Sequence, residues 1–142
     1  MEQDLHNNAK IQVVRAPAAL NTTAAGQAGK VIDRHGYHGV EFVINYGTRT
    51  ATDSVFSVIV KEGSATGSLA SVADTDLLGT EADAGLAAGT PHVSGVSKNV
   101  SKKIGYKGNK RYVSLTHKAT VTAATIVGSS AVLHSPRVSP VA

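Results

Sequence analysis

Asp74, Asp76 and Gly79 stand in the spacing D-x-D-x-x-G, the opening of a calcium loop in which oxygen ligands close round a cation. The pattern then fails. Its fifth position holds Leu78, and the twelfth, which needs a bidentate glutamate, holds Gly85. This stretch reads as a solvated acidic loop. Asp33, His35 and His38 lie close together, and imidazole with carboxylate at short spacing can ligate zinc. Gly36 and Gly39 make a turn there, however, and Arg34 places a positive charge among the ligands. A turn leading into a strand is the better reading. Residues 24–31, AAGQAGKV, have the outline of a phosphate-binding loop, but Ala24 replaces its first glycine and Val31 its magnesium-binding Ser or Thr. Thirteen serines and six histidines allow many Ser–His–Asp trios, yet no G-x-S-x-G elbow singles out a nucleophile. These residues imply no reaction, no metal and no cofactor.

Charge is more informative. All ten acidic residues lie in the first 83 positions, with six basic ones, for a net −4. Residues 84–142 carry eight basic residues and no acid, for +8. Such asymmetry bears on partners and association rather than on fold. Lys98, Lys102, Lys103, Lys107, Lys110 and Arg111 cluster with Tyr106 and Tyr112, as charges and rings do in single-stranded nucleic-acid grooves. Two tyrosines are a thin stacking set. In an alternating strand Lys102 shares a face with Ile104 while Lys103 points opposite, which breaks up a phosphate track. Contact with an acidic protein surface is the stronger reading, with Asp74, Asp76, Glu81 and Asp83 as the complementary acidic set.

Strands must position these groups. In HGVEFVINY (38–46), Val40, Phe42, Ile44 and Tyr46 fall on one face, and Glu41, Val43 and Asn45 on the other. SVFSVIVKE (54–62) reads as a second strand, and the polar link between predicts a hairpin over 38–62. Shorter strands are expected at 10–15 and 29–33. Residues 63–92 are acidic and Gly-rich and predict a long loop, with room for a short helix at 69–78. A second hairpin is expected over 100–117, turning at Gly108-Asn109 with lysines at its tip. A last pair, 119–127 and 130–134, is broken at Gly128-Ser129. The expected class is all-β: an antiparallel β-sandwich, jelly-roll-like, or a β-barrel, with long loops and extended termini. Residues 1–10 form a flexible polar arm, 11–134 one β domain, and 135–142 an extended proline-punctuated tail.

Composition sets the scale. Ala, Gly, Ser and Thr supply 60 of 142 residues and the aromatics six, so the core is built from Val, Ile and Leu and is thin. Other subunits could complete it. With no cysteine, disulfides and thiolate metal sites are excluded. The polar start lacks the apolar run of a signal peptide, and no stretch is long and apolar enough to span a membrane, so a cytosolic compartment is expected, at least during synthesis.

The stretches IDRHGYHGVEFVINYG (32–47), DSVFSVIVKEG (53–63) and GNKRYVSLT (108–116), with the small-residue composition, acidic loop and Pro-containing tail, resemble small virion proteins of tailed bacteriophages, the head-decoration and minor capsid proteins. This resemblance of texture covers residues 30–135 and carries no invariant motif, so no functional residue is transferred by it. It implies a β-rich virion module without enzymatic activity that binds the major capsid protein. It also implies homo-oligomers, trimers above all. A head–tail connector or tail component is the variant within the virion. A nucleic-acid module using Lys102, Lys103, Lys107, Lys110 and Arg111, and a carbohydrate-binding β-sandwich, weakened by the absence of Trp, are the alternatives of other classes.

Overall fold

The computed structural model describes residues 4–20, 25–47, 55–86, 99–120 and 126–137. Their strands are β1 (Ala9–Ala19), β2 (Gln27–Ala28), β3 (Ile32–Asp33), β4 (Tyr37–Tyr46), β5 (Phe56–Ala65), β6 (Ser68–Ser71), β7 (Leu77–Leu78), β8 (Val100–Tyr106), β9 (Tyr112–Ala119) and β10 (Ile126–Pro136). A 3-10 turn (Asp74–Asp76) and one short helix, α1 (Glu81–Ala84), lie before and after β7. Among the described residues no helix is long and apolar enough to cross a membrane.

Two antiparallel sheets form a sandwich. The first has the order β1-β10-β4-β8-β7; the second runs β2-β9-β5-β6, with β3 also on β9. The pairing is nested: β1 with β10, β2 with β9, β4 with β8, and β5 with β6. A chain doubled into one long hairpin and then rolled so that its layers alternate between two sheets has this order. It is a jelly roll, and the sheets do not merge into a closed barrel.

The alternation in β4 holds: Val40, Phe42, Ile44 and Tyr46 are buried, and Glu41, Val43 and Asn45 are not. Phe56, Val58 and Val60 of β5, and Val113 and Leu115 of β9, meet them from the second sheet. The core is a single layer of aliphatic side chains with a few rings, among them Tyr46 on Phe56 at 5.8 Å between centroids.

Both expected hairpins are overturned. β4 and β5 lie in different sheets, and so do β8 and β9. Period-2 alternation says which face of a strand is buried, but two such faces can bury each other across a sandwich as well as side by side. The expected break at Gly128-Ser129 is absent, because β10 runs through it with Gly128 paired to Asn45 and Ser129 to Ile44; residues 121–125 of the expected strand 119–127 lie outside the described residues.

The long loop is also corrected. Residues 63–86 contain the end of β5, then β6, the 3-10 turn, β7 and α1, so the window 69–78, where a short helix is expected, holds only the 3-10 turn between two strands; residues 87–92 of the expected loop lie outside the described residues. Val72, Leu77, Ala84 and Leu86 are buried, so this segment straps one open side of the sandwich. Leu86 exchanges both backbone hydrogen bonds with Phe56, and the Tyr46 hydroxyl donates to the Ala84 carbonyl at 2.8 Å. On the other side Gly29 donates to Leu115 of β9 and Lys30 to Val14 of β1, stitching the two sheets. A Cβ at Gly29 would lie 2.5 Å from Val14 and 2.7 Å from the Leu115 carbonyl, so this close approach needs glycine. At the ends β1 begins at Ala9, β10 runs to Pro136, and Arg137 donates to the Gly36 carbonyl; residues 1–3 of the expected arm and 138–142 of the expected tail lie outside the described residues.

Candidate functional site

The outward face of the first sheet follows from its registers. Ile11, Val132, Glu41, Gly105 and Leu78 form one row across five strands. Val13, Ser130, Val43 and Lys103 form the next, and Gly128, Asn45 and Ser101 a third. Ile11 is 70% exposed, Val13 58%, and Ile126 and Leu78 about half, so an aliphatic surface faces outward on one side of a thin domain. Gly39, Gly105 and Gly128 leave room on it for neighbouring side chains: the His134 ring lies over Gly39, Glu41 and Leu78 over Gly105, and Pro17 over Gly128. A groove of about 610 Å³ crosses one end, with Gly128, Asn45 and Ser101 among its floor residues and Val13, Pro17 and Ile126 on its wall. Glu41 and Lys103 are the charged neighbours in this field; burial raises the Glu41 carboxyl above its ordinary value, against the opposing pull of Lys103 and His134.

The charged residues singled out in the sequence go to several places. Lys98 lies outside the described residues. Lys102 and Lys103 sit on opposite faces of β8, as alternation requires. Asp83 reaches them: Asp83, Lys102, Lys103, Ser101 and Val43 line one shallow hollow. Asp76 approaches the basic segment through its backbone, accepting from the Lys107 N–H at 2.9 Å. Acidic and basic regions therefore adjoin within one subunit. Lys107, Lys110 and Arg111 belong to the crossing from β8 to β9, outside the strand that carries Lys102 and Lys103. Among the described residues no three His, Asp or Glu side chains gather as a metal site; Asp74 and Asp76 lie on the 3-10 turn.

Glu81 has structural work. Its carboxylate accepts from the Val60 N–H at 2.7 Å, where β5 passes beyond β6, while Val72 donates to the Val60 carbonyl. Thr80 caps α1 by accepting from the Asp83 N–H at 3.0 Å. Glu81→Ala leaves a half-buried N–H unsatisfied, so a loss of about 1–2 kcal/mol is expected in urea unfolding. An unchanged midpoint would show that the strap does not depend on this bond.

The Asp33–His38 stretch is a turn, with Gly36 at φ +91° and the Asp33 carboxylate accepting from the His35 N–H. The same carboxylate takes a bidentate pair from Arg111 at 2.9 and 2.7 Å, which holds it at about 2. Both side chains are about half exposed, so the pair adds little stability. Arg34, beside it, is a clamp: its guanidinium donates to the carbonyls of Lys110, Tyr37, His38 and Gly108, and lies 5.4 Å over the Tyr106 ring. The Tyr106 hydroxyl donates to Glu62 and accepts from the Lys110 N–H; burial, then the Glu62 bond, push it up to about 12. This cluster fixes the β8–β9 crossing.

One buried polar group stands apart. His117 of β9 is 1% exposed, and neither ring nitrogen has a hydrogen-bond partner. Burial, assisted by the charge of Arg15, pushes it down to about 4. Buried polar groups without partners are costly, which marks this position as tuned by the fold.

No protein-family model and no curated protein matches the chain. The outward aliphatic face was not singled out by sequence reasoning. Its trace was present: residues 10–15, KIQVVR, are apolar on both strand faces, and Val43 sits opposite the buried set of β4.

Proposed function

We propose that this chain is a non-enzymatic capsid accessory protein, of the decoration or minor capsid (cement) kind, that binds a capsid lattice through the outward face of its first sheet. The aliphatic rows Ile11–Val132 and Val13–Val43 carry this reading. An exposed aliphatic field bordered by charges marks a surface for a protein partner. The bordering Lys103, Glu41 and His134 set register and on-rate. Jelly rolls occur in capsid and lectin domains and in cupins, so the architecture is compatible with this role without selecting it. The phage-like texture of the sequence supports the partner's identity, the major capsid protein.

The test is cosedimentation with heads of the encoding virus that lack this protein. Wild type is expected to bind saturably, and Val132→Glu, at the middle of the face, at least tenfold more weakly with an unchanged Tm. Equal binding by the variant, or no binding by wild type, overturns the proposal. Retention on DNA that falls steeply with salt would favour the nucleic-acid alternative instead.

A further inference from the structure

The sheet edges are protected unequally. Along β8, β7 covers only Tyr106 and Gly105, and the rest of the edge carries Lys102 and Lys103, charges that discourage strand addition. β6 is four residues long, and β2 and β7 are two each. β1 has eleven residues; its first half carries one charge, Lys10, and its other guards lie in the second half: register breaks between Val13 and Arg15 and between Arg15 and Ala18, Pro17, and the Lys30 bond to Val14. From Ala9 to Val13 it pairs with β10 without interruption and displays Ile11 and Val13. Nothing among the described residues bonds the outer side of those five.

We propose that this half-strand pairs with the same half-strand of a second copy, antiparallel about a two-fold axis. The stretch selects its own register. A two-fold antiparallel pair must bring one residue opposite itself, and the midpoint of residues 9–13 is Ile11. Ile11 then faces Ile11 of the second copy, Val13 faces Ala9, and Lys10 faces Gln12. Moving the centre to residue 10 would oppose two lysines, which is unfavourable. Moving it to residue 12 or beyond draws in the bulged residues and the Lys30 bond. The chosen register also joins the two outward aliphatic faces into one continuous field. An edge with a self-complementary register fits a second copy better than an unrelated strand. The pairing is two-fold, unlike the trimer that the phage resemblance implies, and it stands whether or not the face binds a capsid.

The isolated protein, free of capsids, tests it. Wild type is expected to show a concentration-dependent dimer in native mass spectrometry or sedimentation equilibrium. Ile11→Glu, which opposes two carboxylates at the axis, is expected to raise the dimer dissociation constant at least tenfold. The chain has no cysteine, so single cysteines report geometry cleanly. Ile11→Cys should oxidise readily to a disulfide-linked dimer, because residues directly opposite on antiparallel strands lie about 4.5–5.5 Å apart at Cα, within disulfide reach. Leu78→Cys, exposed on the same face far from β1, should not. A wild type that stays monomeric at high concentration, or equal cross-linking at positions 11 and 78, overturns the pairing.

Discussion

Replacing Arg34 by methionine is expected to lower unfolding stability by about 3 kcal/mol, with a Tm lower on the order of 10 °C. Four carbonyls, those of Lys110, Tyr37, His38 and Gly108, share this one guanidinium. Methionine preserves much of the stem's packing over Tyr106 but satisfies none of them. Hydrogen bonds to a charged donor contribute about 1.5–3 kcal/mol each, and partial exposure at Lys110 and His38 reduces the sum because water can replace the donor there. Arg34→Lys should recover less than half of the loss, since an ammonium cannot present a planar fork. Denaturant unfolding of both variants measures this. A loss below about 1 kcal/mol for Arg34→Met would show that the crossing between sheets is held by Tyr106 and Glu62 alone.

Acid is expected to destabilise the protein through His117. Its folded value is about 4, against an ordinary 6.5. The native state therefore binds fewer protons than the unfolded chain between those limits. Stability is full above about pH 6.5, falls as pH drops towards 4, and levels off below. The shift corresponds to about 3 kcal/mol. Arg15 is the charge that works with burial here. Glu41, raised by burial, acts with opposite sign near its own titration, gaining stability on protonation and offsetting part of the acid loss. Asp33 adds a small further loss only between its ordinary 3.8 and about 2. Urea midpoints across pH 7.5–4 for wild type and His117→Gln test the assignment: the glutamine variant should lose most of the slope. An identical slope in both proteins would place the acid sensitivity elsewhere.

These two residues differ in how far the sequence announced them. His117 lies in KRYVSLTH (110–117), whose alternation puts it on the face of Val113 and Leu115, so its burial follows from spacing. The loss of its partners does not, because that depends on what the opposite sheet presents. Arg34 stood out only as a charge interrupting a zinc-like trio. Its four acceptors come from residues 37, 38, 108 and 110, and two of those arrive from the far end of the chain. Glu81 was legible as one acid among several. Its bond to Val60 required the strap to fold back on β5.

By itself the sequence determined where β4, β5, β8 and β9 run, which side of β4 is buried, and the division of charge. Alternation and charge are local properties, carried by neighbours a few residues apart. It did not determine that β4 and β5, or β8 and β9, part into different sheets, since an apolar strand face is equally satisfied beside or across from its partner. Only the tertiary structure decided this, by nesting β1 on β10 and closing both sides of the sandwich with the 27–33 and 72–86 straps. That nesting aligned Ile11, Val132, Val13 and Val43 into one outward field. It also left half of β1 as the longest open edge, because pairing between distant strands, not spacing along any one of them, sets what a sheet exposes.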